Sequence, residues 1–128
     1  MSPELLPSPR QGQILVVEDD VLMRTMIAEE LRGAGLSVIE AASADEALSC
    51  FAAGAAIDLL FTDVQMPGSI DGLELARRVS RLRPALPVIV TSGAGRPSAG
   101  VAGSFLPKPY DIERAVSTVL DMLGAPPP

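Results

Sequence analysis

The sequence predicts an α/β protein built on a doubly wound, five-stranded parallel sheet. Three observations predict it. Short apolar runs recur about five times along the 128 residues. Between the runs, the apolar spacing becomes that of a helix with one buried face. The runs themselves are apolar at nearly every position, as strands covered on both sides should be. Right-handed crossovers then place helices on both faces of the sheet.

The elements follow in order. Residues 1–12 hold three prolines and little periodicity, and read as a flexible arm. The first strand is residues 14–17, Ile-Leu-Val-Val, ended by Glu18, Asp19 and Asp20. Asp20 can cap a helix whose Met23, Ile27 and Leu31 recur at i, i+4 and i+8, and Gly33 and Gly35 stop it. Residues 36–39 form the second strand. Ser43 and Glu46 have capping-box spacing ahead of Ala47, Leu48 and Phe51, so a second helix follows. Residues 57–61 begin a third strand that ends at Asp63. A Pro-Gly loop follows, and Asp71 opens a helix with Leu75, Val79 and Leu82 on one face, stopped by Pro84. Residues 87–90 are the fourth strand, ending at Thr91-Ser92-Gly93. Residues 104–106 are the fifth. Asp111 caps the last helix, with Ile112, Val116, Val119 and Leu123 inward. The folded domain spans 13–124, and residues 125–128 are a Pro-rich tail.

Composition excludes several classes. Hydrophobic residues make up 48%, enough for a core. No apolar run approaches the roughly 18 residues of a membrane span, and the first residues lack the pattern of a secretory signal. A net charge of −6 argues against nucleic acid as a direct partner. The chain has no histidine, which removes Ser-His-Asp triads, His-ligated zinc and any phosphohistidine of its own. Cys50 is its one cysteine. It reads as a half-buried helix residue in a reducing, cytoplasmic compartment. Arg77, Arg78 and Arg81 read as a solvated helix face.

In an open parallel sheet, chemistry gathers beyond the carboxyl ends of the strands. Here those ends carry Glu18, Asp19 and Asp20, then Asp63, then Thr91 and Ser92, then Lys108. Crowded carboxylates favour a hard divalent cation, and magnesium suits carboxylates shared with a phosphate. With the cation and Lys108 neutralising its oxygens, a phosphoryl group can approach an aspartate. Asp63 is the best nucleophile, because no helix follows it closely enough for a capping role. Asp20, Asp71 and Asp111 read as caps.

The chain resembles the receiver domain of two-component response regulators. The resemblance covers residues 13–124. It is carried by ILVVEDD at 14–20, LLFTDVQMP at 59–67, DGLELA at 71–76, PVIVTSG at 87–93 and FLPKPY at 105–110. It implies the flavodoxin-like strand order 2-1-3-4-5. It implies Asp63 as phosphoacceptor, and a Mg²⁺ site of Glu18, Asp19, Asp63 and the Gln65 backbone carbonyl. Lys108 matches the family lysine, ahead of a cis Lys108–Pro109 bond, and Phe105 the switch aromatic. Ser92 matches the switch hydroxyl, as the fifth residue after Pro87. Thr91 competes with it, since side chains alternate along a strand and only one can face the site.

Two features depart from the family pattern. The loop from Pro67 to Gly72 is one residue longer than the common form. The segment GAGRPSAGVAG at 93–103 is short and Gly-rich, so the helix expected before the fifth strand is short or missing.

The implied function is a phosphorylation-activated signalling switch. It receives its phosphoryl group from a sensor histidine kinase or histidine phosphotransfer protein. It then acts through a partner protein or as a phosphate sink. It is not a turnover enzyme on an external substrate. The chain reads as a stand-alone or excised receiver, monomeric or weakly dimeric. The alternative is a receiver-like protein-binding module that works without phosphorylation. A metal-dependent phosphatase would need a second acid two residues after the nucleophile, where Gln65 stands.

Overall fold

The computed structural model describes residues 12–95 and 103–124. Residues 1–11 of the expected arm, most of the Gly-rich segment and the Pro-rich tail lie outside the described residues. Five strands and four helices are described: β1 (Gln13–Val17), α1 (Val21–Gly33), β2 (Ser37–Ala41), α2 (Ala44–Ala52), β3 (Leu59–Asp63), α3 (Gly72–Leu82), β4 (Val88–Ser92), β5 (Ser104–Pro107) and α4 (Ile112–Leu123). All neighbouring strands pair in parallel, in the order β2-β1-β3-β4-β5. This is the doubly wound sheet the sequence predicts.

Alternation along the strands sorts the core into two layers. Leu15, Val17, Leu60, Val88 and Val90 pack against Ala44 and Ala47 of α2 and Leu75, Ala76 and Val79 of α3. Ile14, Val16, Leu59, Phe61, Ile89 and Leu106 pack against Ile27 and Leu31 of α1 and Ala115 and Val119 of α4. Burying each large aliphatic side chain contributes about 1.5–3 kcal/mol. The central strands β3 and β4 are buried throughout, while β2 and β5 lie at the sheet edges.

The helix starts follow the sequence. Carboxylates of Asp20, Asp71 and Asp111 accept from the Met23, Glu74 and Glu113 amides at 3.1, 2.9 and 3.0 Å. Each such cap contributes about 1 kcal/mol. Ser43 accepts from the Glu46 amide, but the Glu46 carboxylate turns back to the Ala42 amide, one residue before the cap. Gly124 ends α4 at φ +67°, a left-handed cap that glycine adopts freely.

One inward position is corrected. Leu82 stands at 64% exposure instead of continuing the face of Leu75 and Val79. It is the last residue of α3, and the chain turns away at Arg83, whose guanidinium donates to the Ile57 carbonyl at 3.1 Å. Leu86, beyond the turn, packs on that core layer instead. Between β4 and β5, residues 93–95 and 103 are not helical, and the rest of the expected short or missing helix falls on residues 96–102, outside the described residues. No helix among the described residues is long and apolar enough to cross a membrane.

Candidate functional site

The carboxyl ends of β1, β3 and β5 converge on one group of charges. Glu18 follows β1 directly. Its amide donates to the Ala41 carbonyl at 3.0 Å, which fixes the turn to the end of β2. Its side chain is buried, with Oε2 accepting from the Asp20 amide at 3.1 Å and Oε1 from Lys108 Nζ at 2.9 Å. Lys108 reaches the site from just beyond β5. Its amide donates to the Ser92 carbonyl at 3.0 Å, and the Lys108–Pro109 bond is cis. The same ammonium lies 3.2 Å from Asp63 Oδ2.

Asp63 ends β3 and is 4% exposed. Its second oxygen, Oδ1, is buried with no hydrogen-bond partner among the described residues. A buried carboxylate oxygen left unpaired is costly, and a cation or an incoming electrophile would relieve it. Asp19 is exposed, yet it offers an oxygen to the same cluster. One oxygen each from Glu18, Asp19 and Asp63 lies within 4.8 Å of the others. An all-oxygen set with an unpaired buried member suits a hard divalent cation, so the residues present fit magnesium.

The charges set the local titration. Burial pushes the Glu18 carboxyl above its ordinary range. The Lys108 hydrogen bond pulls it back, and the Asp63 charge adds to the rise. For Lys108, burial works against the ammonium, but the Glu18 hydrogen bond and the charges of Asp63 and Glu18 outweigh it and hold its pKa above the usual lysine value. Tyr110 lies edge-on to Phe61 with ring centroids 5.8 Å apart. Burial, then the charges of Glu18 and Asp63, raise its hydroxyl pKa.

The other expected positions are close by, but outside the charged group. Ser92 ends β4, is buried, and accepts from the Ala94 amide at 3.0 Å. Its hydroxyl donates to Gln65 Oε1 at a long 3.3 Å. Thr91 is equally buried, and its backbone stands in register with Asp63. The β4 alternation puts Thr91 on the layer of Ile89, and Ser92 on the layer of Val88 and Val90. Phe105 is half-buried on β5, opposite Val90.

Two residues near the site were not singled out from sequence. Gly72 opens α3 against the back of Asp63, and a Cβ there would lie 1.7 Å from the Asp63 carbonyl oxygen. Its place in DGLELA was legible, but the reason for glycine was not. Arg24, in α1, donates to the Glu18 carbonyl at 2.8 Å. Its only sequence signal is a cation inside an otherwise apolar helical turn.

Comparison with known proteins agrees with this geometry. The family model for the response regulator receiver domain matches residues 14–120. The chain is 34% identical over 116 residues to the DNA-binding transcriptional regulator NtrC of Salmonella typhimurium, covering 86% of this chain and 24% of that protein. It is 36% identical over 121 residues to NtrC of a Bradyrhizobium species, covering 90% and 25%. The chain thus spans about a quarter of the length of these curated relatives. Among solved structures, the receiver domain of the hybrid histidine kinase CckA superposes with a TM-score of 0.75 at 38% identity, over 88% of this chain and 99% of that one. TrrA of Thermotoga maritima, a response regulator protein solved in complex with Mg²⁺-BeF, superposes with a TM-score of 0.78 at 27% identity, over 87% and 98%. By this match across most of its length, on a five-stranded sheet of the same order, the chain belongs to the response regulator receiver domains of two-component systems.

Proposed function

We propose that the chain is a phosphorylation-activated switch with Asp63 as its phosphoacceptor. Receiver domains take phosphoryl groups from histidine kinases or phosphotransfer proteins. The 128 residues hold no histidine, so the donor histidine lies outside them. An Asp63 carboxylate oxygen supplies the electron pair of the new P–O bond. The P–N bond of the donor phosphohistidine breaks, and the freed imidazole takes a proton from solvent. Glu18, Asp19, Asp63 and the Gln65 carbonyl would hold magnesium. When bound, it supplies the charge that lets a phosphoryl group enter among carboxylates.

Lys108 neutralises a phosphoryl oxygen and holds the Asp63 carboxylate in place. Ser92 donates its hydroxyl to another phosphoryl oxygen once it leaves Gln65, since one hydroxyl hydrogen serves one acceptor well. That shift moves the start of the β4–β5 connection and Phe105 beside it, and a downstream partner protein reads the change. A few kcal/mol of differential stabilisation suffice for such a two-state shift. The single free Cys50 fits a reducing compartment, and we place the switch in the cytoplasm.

The observation that carries this reading is the buried Asp63 Oδ1, without a hydrogen-bond partner among the described residues, beside an Oδ2 already engaged by Lys108. Intact mass after incubation with acetyl phosphate tests it. The expected result is a magnesium-dependent gain of one phosphoryl group that is absent in Asp63→Asn. An equal gain in the variant would overturn the assignment. A folded parent that gains nothing, from acetyl phosphate or from a phosphorylated donor protein, would favour phosphorylation-independent protein binding.

A further inference from the structure

We propose that Arg24 is a positioning residue for the magnesium site, acting through the backbone of Glu18. The proposal rests on the reading of Glu18, Asp19 and Asp63 as the cation ligands. Arg24 touches none of those carboxylates in the contacts described. Its Nη1 donates to the Glu18 carbonyl oxygen at 2.8 Å, and its Nε lies 3.2 Å from Glu40 Oε1. The side chain is 17% exposed, so these contacts are partly shielded from water.

The geometry makes this a clamp on one peptide unit. The Glu18 carbonyl belongs to the peptide plane that leads into Asp19, so fixing that oxygen orients the backbone between two ligands. The other side of Glu18 is fixed too, by its amide on the Ala41 carbonyl at 3.0 Å. Glu40 then anchors Arg24 to β2, and Arg32 secures Glu40 from the far side at 3.1 Å while donating to the Val38 carbonyl. The turn that presents Glu18 and Asp19 is thereby tied to β2 as well as to its own strand. Guanidinium suits this task, because its fork carries two bonds in fixed relative directions.

The sign of one measurement separates this role from a plain charge effect. Removing a positive charge near a cation site should tighten cation binding by Coulomb's law. Removing a clamp should weaken it, and partners behind the ligands of a metal site are typically worth about tenfold in affinity. Arg24→Met keeps the aliphatic stem and removes the fork. The full chain would be titrated with MgCl₂ by calorimetry and by amide NMR shifts of Glu18, Asp19 and Asp63, with urea unfolding of each variant in EDTA.

The expected result is about tenfold weaker magnesium binding by Arg24→Met. Arg24→Lys should fall less, since it retains a donor for the Glu18 carbonyl. Glu40→Gln, which loosens the far anchor, should also weaken binding. Unchanged or tighter magnesium binding by folded Arg24→Met would overturn the proposal. If Arg24→Met does not fold, Glu40→Gln decides the matter, and unchanged or tighter binding there would likewise sink it. A parent chain that binds no magnesium would instead remove the cation-site reading, and the clamp with it.

Discussion

The body of β3 and its carboxyl end are equally buried and chemically opposite. Leu59 and Leu60 are fully enclosed by apolar neighbours, whereas Thr62 and Asp63, two or three residues on, are as inaccessible and polar. The same change recurs on β4, from Ile89 and Val90 to Thr91 and Ser92. In the strand bodies, burial stabilises the fold in proportion to the apolar area covered. At the ends, burial places carboxylates near one another and leaves an oxygen without a partner among the described residues. The sheet therefore holds a crowded, buried polar edge in place using stability gained elsewhere along the same strands.

This contrast can be broken most forcefully in the strand body. Leu60→Ala should cost about 2–5 kcal/mol, read as a lower urea midpoint, through lost burial and the cavity left behind. Asp63→Asn, measured beside it, should cost far less, because it removes a charge from a crowded acidic cluster. Equal losses would mean that the carboxyl edge is itself a main source of stability. A smaller perturbation sharpens the contrast from the other side. Gly72→Ala forces a methyl group against the Asp63 carbonyl. It should cost about 1–3 kcal/mol in stability. If Asp63 is the phosphoacceptor as proposed, phosphoryl uptake should fall far more, by about a hundredfold, because its carboxylate is displaced. Proportionate losses would show that Asp63 tolerates displacement.

The smallest effect tests the charges alone, in EDTA. Glu18 has a raised pKa in the folded state, chiefly from burial. Between its ordinary value of 4.5 and the raised one, the folded chain binds more protons than the unfolded chain. Stability contributed by Glu18 is therefore full below that window and lost as pH rises through it. Glu18→Gln lacks this loss. Its stability relative to the parent should climb with pH above 4.5 and then level off, as followed by urea unfolding at several pH values. A flat difference would show that the Lys108 pairing cancels burial, and one falling with pH that it outweighs burial.

Much of this edge was legible in the sequence, because each polar residue follows an apolar run. Glu18, Asp63 and Lys108 stand where a buried parallel strand stops, and chain direction alone brings such stops to one side of a sheet. The caps at Asp20, Ser43, Asp71 and Asp111 were legible for a similar reason, since they act within one turn. What stayed hidden depends on tertiary packing. Leu82 has the spacing of an inward residue, but its helix ends before periodicity can bury it. The Ser92–Gln65 contact joins the end of β4 to the loop after β3, 27 residues away, and no local pattern announces it. Gly72 looks like an ordinary helix start until the Asp63 backbone is set against it.

The ion pair between Lys108 and Glu18 spans 90 positions of the chain. Glu18 follows the first described strand of this sheet in chain order, and Lys108 follows the fifth. The charged group is therefore complete only when β1 and β5 both stand in the sheet. A nascent polypeptide still short of β5, or a molecule whose edge strand has come away, has an aspartate but no ammonium beside it. On the proposed reading, phosphoryl uptake at Asp63 would then report that β5 is docked on the sheet.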